Sequence, residues 1–217
     1  MEALAPNKTL VEKAYEALLE AICCGDVRPG DRLNQDELAL KLNVSRQPIN
    51  SAIAMLKAQR FVQDTGKRGV IVAPIDQNLF DSIYQFRTVV EPLAVELACE
   101  RMTSEAVGLG REIIARGKSC VQSADHAAAL QADMDFHSLI YQLSGNLIIV
   151  DTMMLNWRHL QRAMSEVLSV PGTSLRVWKE HEQVFSAMVR GDVRSAAELM
   201  KAHMVNAAPR QIRLQSE

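Results

Sequence analysis

Proline and glycine are scarce in these 217 residues, at 7 and 10, and aromatic side chains make up only 5%. That scarcity excludes a collagen-like fibre and a disordered tail, and it favours helix. The four cysteines, Cys23, Cys24, Cys99 and Cys120, show no CxxC spacing, and the adjacent pair cannot easily bridge each other. They read as reduced thiols of a cytoplasmic protein rather than a disulfide framework. No apolar run reaches the roughly 18 residues of a membrane span. The nearest, Ser138 to Val150, is broken by Gln142, Ser144 and Asn146. Glu2, Lys8, Glu12 and Lys13 crowd the start of the chain, so no secretory signal is expected there.

What is present is ordinary for a soluble globular chain: 48% apolar and 23% charged residues. The length suits two small domains better than one large one. Net charge is −2, which by itself argues neither for nor against a polyanionic partner. The total hides an asymmetry. Between Lys41 and Val70 stand Lys41, Arg46, Lys57, Arg60, Lys67 and Arg68 against the single acid Asp64. On charge alone that stretch fits a phosphate-facing surface and a solvated helix face equally well.

Apolar spacing predicts a first helix over Thr9–Cys24, stopped by Gly25, then a turn-rich segment around Pro29-Gly30. A short helix over Gln35–Leu42 ends at Asn43. Another begins at Ser45, an apt N-cap, with Pro48 in its first turn and Ile49, Ala52, Ile53 and Leu56 inward. After Arg60 the period drops to two, giving a hairpin with a basic, glycine-bounded tip, Gly66-Lys-Arg-Gly69. Residues 1–75 therefore read as a winged helix-turn-helix. Its third helix would enter the major groove, with Arg46 suited to guanine and Gln47 and Asn50 to adenine. Ser45, at a positive helix end, suits a phosphate, and Lys67 and Arg68 suit the backbone or the minor groove. Winged helices also serve as protein-interaction modules; Arg46, the basic tip and the charged window together favour a double-stranded DNA operator.

Residues 76–217 lack a convincing strand. Six helices are predicted, over 78–101, 104–123, 125–144, 147–169, 174–191 and 193–213, with Gly108, Gly110 and Gly117 weakening the second. The fold class is mainly α: a winged helix-turn-helix followed by an all-helical antiparallel bundle that can bury its own core. Asp133 and His137 share one helix face with Phe136 and Ile140. His181 shares its face with Val184, Phe185 and Met188, and His203 with Ala196, Leu199 and Met200. Each alone reads more readily as a core polar group than as a ligand. Asp133 changes that balance, because a carboxylate on a core face is costly unless paired or metal-bound. Three imidazoles and a carboxylate suit Zn foremost, or Ni, Mn or Fe. His126 and His159 lack this placement and read as surface residues.

Leu38-Ala-Leu-Lys-Leu-Asn-Val-Ser-Arg-Gln-Pro-Ile-Asn50, with Pro29-Gly-Asp-Arg-Leu33 before it and the wing after it, resembles the DNA-binding domain of the GntR family. Asn50 departs from the pattern, which usually has a second recognition-helix arginine there. Residues 80–205 resemble the FadR-type C-terminal domain in its metal-binding form. The resemblance is carried by Arg87-Thr-Val-Val-Glu91, Asp133-Met-Asp-Phe-His137, Gly145-Asn146, Glu180-His181, Gly191-Asp192 and His203. Six helices rather than seven suggest the shorter, VanR-like version. The resemblance implies a divalent metal held by Asp133, His137, His181 and His203, with a small carboxylate effector bound beside it. Arg87 matches an arginine of the effector cavity; as a bare i,i+4 pair it reads equally as a salt-bridge partner of Glu91. The expected protein is a homodimeric transcription regulator, a repressor, with a metal-dependent hydrolase or lyase as the rival.

Overall fold

The computed structural model describes residues 8–66, 69–167 and 173–208, without the side chains of His126, of 163–167 and of 173–174. The chain divides into two compact units, residues 1–75 and 76–217.

In the first unit α1 spans Leu10–Cys23. Thr9 and Glu12 form a reciprocal capping box at its start, with Thr9 N donating to Glu12 Oε2 at 2.7 Å and Glu12 N to Thr9 Oγ1 at 3.2 Å. Its inward face is Ala14, Leu18, Leu19, Ile22 and Cys23. α2, Gln35–Lys41, is capped by the Asn34 side chain, and α3 spans Arg46–Ala58. The chain reverses between them through Asn43 at φ 53°, a left-handed conformation that asparagine tolerates. Pro48, Ile49, Ala52, Ile53 and Leu56 of α3 complete the core with Phe61 and Val72.

β1, Val62–Thr65, pairs antiparallel with β2, Gly69–Val72, in the register Val62 to Val72 and Thr65 to Gly69. The segment read as turn-rich does more than turn. Leu33 N donates to Val70 O at 2.8 Å and Val72 N to Asp31 O at 2.9 Å, so it bridges the outer edge of β2. The wing is thereby anchored on both sides of β2.

The second unit holds six helices among the described residues: α4 Gln77–Cys99, α5 Ser104–Gln122, α6 His126–Ser144, α7 Leu147–Val167, α8 Thr173–Val189 and α9 Val193–Ala207. Asp76, Thr103, Asp125 and Asp192 cap four of them at the N-terminus, and Gly145 at φ 66° ends α6. α4 packs against α6, α7, α8 and α9, around Ala94, Val95, Phe136, Ile140, Met153, Val184 and Met200. Gly110 and Gly117 of α5 face α8, where an added Cβ would overlap the rings of Phe185 and Trp178. They weaken α5 as a helix but allow α8 to approach it. No helix of the described residues is long and apolar enough to cross a membrane.

Candidate functional site

In the second unit the helix faces bring His137, His181 and His203 together, with one ring nitrogen of each within 4.8 Å of the others. All three are buried, and Nε2 of His181 lies 3.0 Å from Nε2 of His203. Asp133 stands at the edge of this trio, its Oδ1 3.4 Å from His181 Nε2. α6, α8 and α9 thus supply the four residues singled out from sequence.

Two carboxylates that the helix-face reading did not single out decide which way the rings present their lone pairs. Glu91 Oε2 sits 2.7 Å from His137 Nδ1, and Glu180 Oε2 sits 2.7 Å from His203 Nδ1. An ionised carboxylate only accepts, so both Nδ1 atoms carry hydrogen and both Nε2 lone pairs face the cluster. Arg87 gives an independent check. Its Nη2, a pure donor, lies 3.4 Å from His137 Nε2, which must therefore accept. Carboxylate-oriented imidazoles of this kind are the usual support of histidine metal ligands. Among the described residues His181 has no such partner, and its buried Nδ1 makes no hydrogen bond to them.

Burial disfavours the charged form of two of the rings, His181 and His203. Burial, reinforced by His203, His137 and Arg87, holds His181 well below the usual histidine range. Burial also lowers His203, although the bond to Glu180 opposes it. Burial alone would raise the Glu91 carboxyl, but Arg87 and His137 outweigh it and hold it well below the usual carboxylate range. Glu180 is lowered likewise, chiefly by His203. Three converging imidazoles, two of them oriented by carboxylates, plus a carboxylate at the edge fit a divalent cation of the Zn, Ni, Mn or Fe type.

Arg87 unites its two sequence readings. Its Nε donates to Glu91 Oε1 at 2.5 Å, an i,i+4 pair with both side chains buried. The same guanidinium reaches the histidine cluster and lies over the rings of Tyr84 and Trp157, at 5.3 and 5.1 Å from their centres. Tyr141 Oη donates to Glu91 Oε1 at 2.8 Å. Burial pushes the Tyr84 hydroxyl up to about 12, so it stays a neutral wall of the site. His159 corrects the sequence reading. It is buried on α7, not a surface residue, because the buried face of the helix widens here to take in Trp157, His159, Leu160 and Arg162. The side chain of His126 lies outside the described ones.

On the first unit, Ser45, Arg46, Gln47 and Asn50 are all exposed at the start of α3. Ser45 occupies the N-cap position but its side chain makes no capping bond, which leaves the hydroxyl for a partner. Arg46 pairs with Asp36 at 3.0 Å, and Lys57 pairs with Asp64 at 2.7 Å. The basic window is therefore less bare than its count suggests. Lys67 and Arg68 lie outside the described residues.

A winged helix-turn-helix followed by a helical bundle with a buried polar centre is the layout of a two-domain transcription regulator. Family comparison agrees: residues 10–72 match the bacterial regulatory proteins of the gntR family, and residues 82–206 match the FCD domain. The chain belongs to the GntR-family regulators that carry an FCD domain. It is 32% identical over 127 residues to the Nta operon transcriptional regulator of Aminobacter aminovorans, covering 58% of this chain and 60% of that one. It is 25% identical over 220 residues to the HTH-type transcriptional repressor NanR of Klebsiella aerogenes, covering 91% and 84% of the two. The solved structure of E. coli McbR/YncC superposes with a TM-score of 0.81 at 18% identity, over 97% of this chain and 100% of that one.

Proposed function

We propose that this chain is a cytoplasmic, homodimeric repressor that releases its operator when a small carboxylate binds beside a divalent metal in the FCD unit. The observation that carries this reading is the convergence of three carboxylate-tuned or desolvated imidazoles on one buried point, with the Arg87 guanidinium 3.4 Å from one of them. His137, His181, His203 and Asp133 hold the cation, Zn foremost, and Arg87 meets the effector carboxylate. A guanidinium matches a carboxylate in geometry and charge. A divalent cation held there would supply Lewis acidity toward the effector's carboxylate oxygens. The NanR relative is named a repressor, which supports that direction of control.

At the DNA end, Arg46, Gln47 and Asn50 read base edges and Ser45 holds a phosphate, with Lys67 and Arg68 on the wing. Two-fold pairing of such units matches a pseudo-palindromic operator. Exposed Phe86, Val89 and Leu93 form an apolar stripe along α4, which suits the dimer contact. The effector alters operator affinity by preferring one arrangement of the heads; a coupling of about 1–3 kcal/mol corresponds to roughly 5- to 150-fold.

Elemental content of purified wild type against a His181→Ala, His203→Ala double variant tests the ligand set. Metal in the wild type and none in the double variant is expected; full metal in the double variant refutes it. Release of a selected duplex by a panel of small carboxylic acids, in wild type and Arg87→Lys, tests the effector. Equal release midpoints would leave Arg87 a salt-bridge partner only.

A further inference from the structure

Asp36 is an acid on a surface assigned to a polyanion, and it lies outside the basic stretch that marks that surface in sequence. Its position is fixed from below. Asn34 Oδ1 accepts from the Asp36 backbone N–H at 3.0 Å and so sets the first turn of α2. From there Asp36 Oδ1 reaches Nε of Arg46, the first residue of α3, at 3.0 Å. Both side chains are about two-thirds exposed, at 65% and 63%. An exposed pair of this kind adds little to stability. Its geometry is more telling. The ion pair meets the guanidinium at Nε, on its side-chain end, whereas guanine O6 and N7 are gripped by the planar fork at the far end. A cation at a helix N-terminus is also disfavoured by the helix dipole, so a free Arg46 would swing away toward phosphate. Asp64 stands in the same relation to Lys57 further along α3, with Oδ1 accepting at 2.7 Å. Carboxylates therefore clamp both ends of the exposed face that carries Arg46, Asn50 and Lys57.

We infer that Asp36 is the specificity-determining positioning residue of the DNA-reading unit: it aims Arg46 at a base edge and keeps it off non-specific phosphates. This rests on the proposed reading that α3 enters the major groove. Removing the acid should then strengthen binding to the wrong DNA. That sign is opposite to the one expected of an ordinary contact residue.

The full chain as wild type, Asp36→Asn, Arg46→Ala and the double variant would be used to enrich sites from a randomised duplex pool. Each would also be titrated against a random-sequence duplex across salt concentrations. Asp36→Asn is expected to bind the random duplex about 3- to 10-fold more tightly, with a log–log salt slope steeper by about one phosphate contact. It should also lose the guanine preference at one position per half-site, and in the Arg46→Ala background it should change no base preference. Unchanged selected sites and unchanged random-duplex affinity in Asp36→Asn, with wild type enriching a clear site, would overturn the role of Asp36 alone. Wild type enriching no site would overturn the DNA reading beneath it as well. Loss of all duplex binding by Asp36→Asn at unchanged thermal stability would make Asp36 a contact residue and refute the positioning role.

Discussion

Glu91 and His137 sit 46 residues apart in the chain, yet the Glu91 carboxylate meets His137 Nδ1 at 2.7 Å in the buried centre of the FCD unit. That contact fixes the imidazole tautomer while Arg87 and Tyr141 hold the other carboxylate oxygen. Replacing Glu91 with Gln should therefore act twice. Metal affinity should fall about 10- to 100-fold through loss of the orienting carboxylate. Stability should fall by about 3–5 kcal/mol, because Arg87 is left buried without its counter-charge. Glu180→Gln, beside the more accessible Glu180–His203 pair, should reproduce the first effect with a much smaller second one. Competition titration with a metal chelator and urea denaturation separate the two; equal stability losses would show that Arg87 does not depend on Glu91.

The depressed histidines give the metal-free protein a pH signature. His181 and His203 resist protonation in the fold, burial being the main cause for each. Below pH about 6.5 the unfolded chain takes up protons that the interior refuses, so stability falls with acid. Each histidine contributes a slope of up to about 1.4 kcal/mol per pH unit. Glu91 and Glu180 are lowered instead, so their contribution is intact above pH about 4.5 and is lost only below it. Urea unfolding in chelator between pH 7.5 and about 5 should show the histidine slope alone. His181→Met should reduce it and leave the share of His203, and an unchanged slope in that variant would assign the effect elsewhere.

Much of this architecture was legible in the residues. Helical spacing between Gly25, Asn43, Gly145 and Gly191 marked the elements, because those positions end helices by local backbone geometry. The inward histidines were legible for the same reason, since each shares a helix face with apolar neighbours. What could not be read was pairing across elements. Glu180 lies 23 residues from His203, and no local pattern links them. Asp36 escaped notice because its partner Arg46 belongs to a different helix, and a charge window opened at Lys41 excludes it. His159 read as a surface residue because its sequence neighbours Arg158 and Gln161 are polar, whereas α7 turns it inward beside Leu160.

Asn50 offers a test of the reading face that is independent of Arg46. It is exposed one turn beyond Arg46 on α3 and makes an adenine-type contact chemically available. Asn50→Arg restores the residue type usual at this position of the resembled pattern. The variant should exchange an adenine preference for guanine at one position of each half-site, a discrimination of about 1–3 kcal/mol. Parallel enrichment from randomised duplexes reads this directly. An identical selected site would mean that Asn50 does not face the bases.

The glycines of α5 yield a matched stability test in which one substitution type has opposite signs. Gly108 is exposed with open space around it, so alanine there should stabilise by about 0.5–1 kcal/mol through better helix propensity. Gly110 and Gly117 are buried, and a methyl group would collide with the rings of Phe185 and Trp178. Rings are stiff and both are fully packed, so α8 must shift and about 1–3 kcal/mol should be lost at each position. His181 lies on α8 between those two aromatic residues, so a displaced α8 should also weaken metal binding. Gly108→Ala should leave metal affinity unchanged. Denaturation midpoints for the three variants, paired with metal titrations, check both halves. If Gly110→Ala proves as stable as wild type, the close approach of α5 and α8 is not what positions His181.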